Sequence, residues 1–526
     1  MRLVFGLSLG LMTLAAPAHA ATDPVVTVAN GKLAGANEGT SSGVEVFRGI
    51  PFAEPPVGDL RWREPRPIAN WSGVRQAKDY APRCMQQPLF SDMMFRSPGV
   101  SEDCLYLNVW TPAVSPRAAR AGLPVLVYVY GGGFQAGDGS EKRYDGAALA
   151  KRGIVVVTMN YRLGVFGFLA HPELTAQSPH RASGNYGLLD QVAALDWIKR
   201  NIAAFGGDPR RITIAGESAG SLSVNALMAS PLSRGSIAGA IGESGGLMQK
   251  WTPPTLAEAE AKGAAFAGGI GAPTLAALRA LPAERLLDEQ GKAQDLRAGA
   301  VIDGYFLTEP PSVTFRAGRA ARVPLLVGSN SQEAPGAAVF GSEAPSIVSY
   351  RAGLARVLGD KADALFALYP AASDAAVLPA ATALASDDFL GLPTWKWFDL
   401  HRRTGAPTFY YRYDRVRPRA VADTSGAPIP WGAVHSAEIE YALGNLDANP
   451  LYAWTDDDRA VSATMSGYFA NFIKTGNPNG AGLPAWPVAP ATGETFARQI
   501  IDIDTRSSPF PEQQRYLAAE PLLFMH

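Results

Sequence analysis

Cysteine is almost missing from this chain: Cys84 and Cys104 are the only two in 526 residues. Histidine is scarce as well, at six, and none lies near either Cys in sequence. A Cys/His metal site needs more ligands than this, so no metal is expected. Excess charge of either sign is also lacking. The chain is 18% charged, with 47 Lys plus Arg against 48 Asp plus Glu. That balance gives no general attraction to nucleic acid or anionic membrane. At 47% apolar the chain is too hydrophobic to be disordered. Internal repeats, low-complexity tracts and a linker that would cut the chain are all missing. The length would allow several domains, but one α/β domain with insertions also reaches it.

Long apolar runs are missing too. The first, Leu3 to Ala16, is too short to span a bilayer and has no basic stop-transfer flank. It follows Arg2 and precedes Pro17 and Ala18-His19-Ala20, an A-x-A cleavage pattern, so residues 1–20 read as a secretory signal peptide. No Cys sits near that point to carry a lipid, and no later stretch reads as a membrane anchor. The mature chain, residues 21–526, is then exported, periplasmic or secreted. Losing Arg2 leaves its net charge near −2. Two Cys in an exported chain most simply make one disulfide. It would close a loop of about 20 residues, worth about 3 kcal/mol in the chain-entropy model.

What is present is a series of apolar strands alternating with helices. Residues 25–50 alternate around a turn at Asn30-Gly31 and predict an antiparallel hairpin region. Residues 51–75 read as an ordered loop. Strand-length apolar runs follow at Pro124–Tyr130, Ile154–Met159, Ile212–Ala215, 323–328 and 408–413. Leu188, Val192, Leu195, Ile198 and Ile202 fall on one helical face. Residues 256–290 and 350–405 read as helical insertions, and 456–476 as the last long helix. The alternation predicts a mostly parallel sheet covered on both faces.

The pattern Gly-x-Ser-x-Gly occurs four times, at Ser8, Ser41, Ser218 and Ser244. Ser8 goes with the signal peptide. Ser41 sits in a polar turn. Ser244 follows an apolar run, but Gly245, Gly246 and then Pro253-Pro254 leave room for only a short helix. Ser218 alone has a strand before it and a helix-competent run, Ala219 to Ala229, after it. Strand, tight turn and helix make a nucleophile elbow, with the hydroxyl at a helix N-terminus.

A hydroxyl nucleophile needs a base. In this arrangement the chain order is Ser, acid, His, which leaves His401, His435 and His526. His401 lies in an aromatic, basic helix and reads as a surface residue; His526 is terminal. His435 lies in a loop beyond strand 408–413, where the base belongs. Glu333, after strand 323–328, is the leading acid; Asp303, Asp387 and Asp388 are fallbacks. Gly131-Gly132-Gly133 follows a strand directly and offers unshielded N–H groups for an oxyanion, with Ala219 supplying another. It lacks the Lys-Ser/Thr of a phosphate loop.

These stretches together resemble the type-B carboxylesterase/lipase family, which includes para-nitrobenzyl esterases, carboxylesterases and cholinesterases. The resemblance runs from about residue 25 to the C-terminus. It is carried by FRGIPFAEPPVGDLRW (47–62), SEDCLYLNVWTP (101–112), YGGGF (130–134), NYRLGVFGFL (160–169), GNYGLLDQVAALDWIKRNIAAFGGDP (184–209), GESAGS (216–221) and VHSAEIEYALGN (434–445). It implies an α/β-hydrolase fold and a triad of Ser218, Glu333 and His435. It implies oxyanion donors at Gly132, Gly133 and Ala219, and carboxylates near the His at Glu217 and Glu438. It also implies a Cys84–Cys104 disulfide and a buried ion pair between Arg48 and Glu102. The chain departs from the family in two places. Ala334-Pro335 stand where Gly usually follows the acid. The Cys84–Cys104 loop carries Met93, Met94 and Phe95 but no Trp, which argues against choline esters.

The expected function is serine-dependent hydrolysis of small or medium carboxylic esters through an acyl-enzyme, with no cofactor. The alternatives are a lipase or amidase on the same scaffold, or a binding protein. The last would typically lose a triad residue, and this chain keeps all three. The physiological ester and the oligomeric state are not legible. Phe389, Trp395 and Trp397 either line the pocket or pack the core.

Overall fold

The computed structural model describes residues 23–38, 43–112, 122–293, 296–423, 432–493 and 495–524. The signal-peptide segment, Ser41 and His526 lie outside the described residues.

Eleven strands of the described chain form one sheet. In chain order they are β1 (Ala36–Asn37), β2 (Val44–Pro51), β3 (Tyr106–Pro112), β4 (Leu123–Val129), β5 (Val155–Met159), β6 (Gly207–Glu217), β7 (Gly239–Glu243), β8 (Leu325–Asn330), β9 (Thr408–Tyr413), β10 (Ala497–Ile501) and β11 (Arg506–Pro509). Their order across the sheet is β11-β10-β9-β8-β7-β6-β4-β5-β3-β2-β1. The run from β5 through β10 is parallel, and antiparallel strands close both edges.

Central strands buried on both faces read as unbroken apolar runs. All five residues of β5, Val-Val-Val-Thr-Met, are buried. So are the last six of the seven residues of β4. Helix Tyr186–Asn201 turns Leu188, Leu195 and Ile198 inward and continues as a 3-10 turn that Gly206 ends with φ +83°. Helix Ala219–Ala229 is buried along its whole length. A Cβ on its Gly220 would lie 2.0 Å from the Val129 carbonyl of β4, so only glycine lets this helix approach the sheet so closely.

The N-terminal expectation holds in part. Val25–Val28 and Gly31–Ala34 form the hairpin around Asn30-Gly31, in a small three-stranded sheet completed by Val74–Gln76. Residues 44–51 leave it and join the large sheet beside β3, because Val46, Phe47 and Ile50 need the deeper core. Helix Asp456–Thr475 forms as expected, with a Thr455–Asp458 capping box and Gly476 at its end. It is not the last: helix Gln513–Phe524 follows. Residues 374–402 form one continuous helical stretch, long and apolar enough by length and composition to cross a membrane. Here its C-terminal part packs against β8, with Trp395, Trp397 and Phe398 buried.

Two expectations are corrected. His401 is not a surface residue. It is fully buried, and its Nε2 lies 2.8 Å from the Val323 carbonyl. Burial pushes its pKa down to about 4, so it stays neutral. Arg48 does not pair with Glu102. It pairs with Glu38, while Arg61 takes Glu102 in a two-pronged contact, both prongs at 2.6 Å. The 3-10 turn Gly58–Leu60 swings Arg61 back over the disulfide loop, where its remaining donor also reaches the Leu281 carbonyl at 2.8 Å. Cys84 and Cys104 are bonded, with an S–S distance of 2.02 Å.

Candidate active site

The C-terminal ends of β4, β6, β7, β8 and β9 converge on one edge of the sheet, where open parallel sheets present their sites. β6 ends at Glu217, and Ser218 follows with φ +55°. That left-handed backbone is costly for a residue with a Cβ. It is held by the Ser218 N–H bonding to the Glu243 carbonyl at 2.9 Å. The turn lifts the hydroxyl out of the sheet at the start of the Ala219–Ala229 helix.

His435 joins from the loop beyond β9. Its Nε2 lies 2.9 Å from Ser218 Oγ, and its Nδ1 lies 2.7 Å from Glu333 Oε2. The two loops that carry His435 and Glu333 are laced together. Gln332 N–H bonds to the Ala433 carbonyl at 2.9 Å, and Ala433 N–H bonds to Ser331 Oγ at 2.9 Å. Glu333 is buried, and its other oxygen accepts from the Asn330 N–H and from Ser244 Oγ, each at 2.6 Å. After Glu333, Ala334 N–H bonds to Ser386 Oγ at 3.2 Å, which fixes the departure Ala334-Pro335 against a helix.

The fallback acids are engaged elsewhere. Asp387 meets Arg515, Tyr369 and Tyr516. Asp388 pairs with Lys250. Asp303 accepts the N–H groups of residues 305–307.

Ser244 is the residue whose part the sequence reading missed. It repeats the Ser218 geometry one strand over: β7 ends at Glu243, Ser244 has φ +54°, and its N–H bonds to the Gly328 carbonyl at 2.8 Å. Its hydroxyl turns to Glu333 and, at 3.3 Å, to Glu438. Asn330 was also missed; its Nδ2 donates to Glu438 at 2.6 Å and to the Val434 carbonyl at 2.8 Å. The signal for Ser244 is the second Gly-Glu-Ser-x-Gly stretch, which the sequence alone presents only as a rival nucleophile.

Four glutamates surround this machinery: Glu217, Glu243, Glu333 and Glu438, all buried. Burial raises Glu217 to about 8 and Glu438 to about 7, and holds Glu243 well above the ordinary carboxylate range. Glu217 Oε1 stands 3.3 Å from His435 Nε2. Burial alone would disfavour the imidazolium. Glu217, then Glu333 and Glu438, outweigh it and raise His435 to about 10. The ring keeps 28% of its side-chain surface open, so water moderates the shift while leaving its direction upward.

The glycine turn stands opposite. Gly132, Gly133 and Phe134 all have positive φ, at 103°, 64° and 59°. The Gly132 carbonyl takes the Gln135 and Ala136 N–H groups, while the N–H groups of Gly132 and Gly133 meet no protein acceptor among the described residues. Successive N–H groups in such a turn form a nest for negative charge. A Cβ on Gly132 would lie 2.2 Å from the Ala136 carbonyl, whereas one on Gly133 would stand in open space.

Ser218, Ala219 and Gly133 open onto a cavity of ≈ 640 Å³, with Phe134, Phe168, Leu222 and Phe389 on its walls. Phe389 also sets its edge against His435 at 5.7 Å, whereas Trp395 and Trp397 are core residues. Phe389 sits in a π-helical turn, Asp387–Gly391, a distortion common at functional sites. A separate, polar cavity of ≈ 480 Å³ lies behind Glu333.

The described geometry matches known proteins along nearly the whole chain. The carboxylesterase family model matches residues 22–521. Fumonisin B1 esterase of Sphingopyxis macrogoltabida is 38% identical over 507 residues, which cover 92% of this chain and 89% of that protein. Liver carboxylesterase 1 of Oryctolagus cuniculus is 35% identical over 521 residues, covering 89% and 88%. Among solved structures, a PNB esterase superposes with a TM-score of 0.78 at 33% identity, covering 94% of this chain and 99% of that one. A thermophilic PNB esterase gives 0.79 at 33% identity, covering 94% and 100%.

Proposed function

The chain belongs to the carboxylesterase family of α/β-hydrolases and is a serine ester hydrolase, and from that premise we propose that Ser218, His435 and Glu333 carry its reaction. The observation behind this assignment is the unbroken line from Ser218 Oγ through both ring nitrogens to Glu333. Ser218 Oγ attacks the ester carbonyl carbon while His435 Nε2 takes its proton. Glu333 keeps the Nδ1 proton in place and stabilises the imidazolium. The carbonyl oxygen becomes an oxyanion, received by the N–H groups of Gly132, Gly133 and Ala219. Each such donor is worth roughly 10²–10³ in rate. His435 then returns the proton to the departing alcohol. Water, activated by the same imidazole, attacks the acyl-enzyme and frees the acid.

Glu217 acts on His435 through its charge, and Glu438 through its charge and its contacts with Ser244 and Asn330. The apolar walls of the cavity suit small or medium esters. Residues 21–526 form one catalytic domain in this reading. Residues 1–20 direct export to the periplasm or beyond, consistent with a disulfide that needs an oxidising compartment. Export predicts a mature N-terminus at Ala21, read by N-terminal sequencing; an intact Met1 on the exported protein would refute it.

Hydrolysis of p-nitrophenyl esters from acetate to palmitate, by the wild type beside Ser218→Ala, tests the assignment. Loss of roughly 10³-fold or more in kcat/KM is expected. Equal activity in both would assign the wrong serine. The chain-length profile separates an esterase from a lipase.

A further inference from the structure

The ester cavity changes character from floor to mouth. One wall is an extended strip, residues 296–301, that lines the cavity along its length. Its inner end is anchored by Asn185, which bonds Val301 through both its amide oxygen and its amide nitrogen, at 2.9 and 2.8 Å. Val301 and Ala300 are buried, Ala298 is half-buried, and Arg297 is exposed. An adjoining wall is helix Leu256–Gly269, tied to the strip by the Leu256 N–H donating to the Ile302 carbonyl at 3.1 Å, and it turns Glu258, Ala259 and Lys262 to the same cavity.

Two of these charges stand unspent. Lys250, also on the wall, pairs with Asp388. Among the described residues Glu258 is the only carboxylate on the lining, and it caps its own helix, accepting from the Thr255 N–H and hydroxyl at 2.8 Å each. Among the described residues neither Lys262 nor Arg297 makes a direct ion pair, although Lys262 lies one helical turn from Glu258 and its charge helps to lower that carboxyl. An apolar passage therefore leads from Ser218 to a mouth with two unpaired cations. Three residues separate Arg297 from Val301, so the two lie at most roughly 13–14 Å apart.

We infer that this cavity selects esters whose far end carries a carboxylate, with Arg297 and Lys262 as the residues that set the preference. The inference rests on Ser218 as the reacting group and adds the class of ester that the site takes. A carboxylate in the apolar passage would lose its hydration without return. At the mouth it keeps water and gains two cations. The ligand class is therefore a half-ester of a dicarboxylic acid, its free carboxylate held apart from the reacting ester by an apolar chain.

The test compares mono-p-nitrophenyl suberate with p-nitrophenyl octanoate, which has the same carbon count and a neutral end. The neutral ester is the internal reference, and the reading is the ratio of kcat/KM values. The wild type should favour the suberate ester at low ionic strength, chiefly through KM, and that preference should shrink with added salt. Arg297→Gln with Lys262→Gln should cut the ratio about tenfold, and Arg297→Glu should cut it further. A ratio that stays the same in all variants, or a wild type that rejects the suberate ester, overturns the inference. Loss of both substrates in Ser218→Ala, with the ratio still Arg297-dependent in the wild-type background, supports both readings. If Ser218→Ala keeps hydrolysing octanoate, the failure lies with the assigned nucleophile, and the inference about this cavity falls with it.

Discussion

Ser244 Oγ donates to Glu333 Oε1 at 2.6 Å, so the serine of the second Gly-Glu-Ser-x-Gly stretch holds the carboxylate that faces His435. The other oxygen of Glu333 is thereby left free to meet Nδ1 at 2.7 Å. Ser244→Ala should leave Glu333 less firmly oriented. The expected result is a fall in kcat of about tenfold with KM little changed, and a stability loss of about 1–3 kcal/mol from the under-satisfied buried carboxylate. Steady-state kinetics and denaturant unfolding measure both. A kcat equal to that of the wild type would remove Ser244 from any positioning role.

Glu217 gives a pH signature. His435 must be neutral to accept the Ser218 proton, and the surrounding carboxylates hold its pKa above the ordinary value of 6.5. Activity should therefore rise with pH along a limb displaced upward from that value. Glu217 leads the charges that favour the imidazolium, and is itself raised to about 8 by burial. The limb thus belongs to both groups together. Glu217→Gln removes the charge and should move the limb to lower pH by about one unit. The pH profile of kcat/KM reads this directly, and an unmoved limb would mean that Glu217 is already neutral throughout.

The disulfide connects stability to the site. Gln86, two residues past Cys84, exchanges hydrogen bonds with the Gly137 backbone at 2.7 and 2.9 Å, just beyond the glycine turn. Replacing both cysteines by serine should cost about 3 kcal/mol and lower kcat/KM as the turn loosens. Calorimetry beside the ester assay checks it. An unchanged melting temperature would show that the loop is held by the Arg61–Glu102 contact instead.

Local contiguity decides what could be read in advance. The Ser218 elbow is one unbroken stretch, in which a strand, a serine and a helix succeed each other, so the pattern of apolar and glycine residues carries it. Helix 456–475 is legible for the same reason, since its cap, its apolar face and its terminal glycine all lie within it. The pairing of Arg61 with Glu102 is not local. Arg48 and Arg61 both occur in the 47–62 stretch, and only the 3-10 turn at Gly58–Leu60 decides which of them reaches back. His401 shows the same limit. Its basic neighbours point to a surface, but its ring is turned inward onto the Val323 carbonyl.

By itself the sequence determined the parallel α/β class, the serine with an elbow to stand on, the chain order of base and acid, and the glycine turn. Each follows from apolar periodicity or from backbone freedom within a few residues. The tertiary structure alone decided that β7 lies between β6 and β8, which turns Ser244 from a rival of Ser218 into the support of Glu333. It also decided that four glutamates share one buried space around His435, and that Lys262 and Arg297 line one cavity with Ser218. Those relations join residues far apart in the chain, and contacts of that kind are set by packing across the sheet, for which a linear pattern holds no signal.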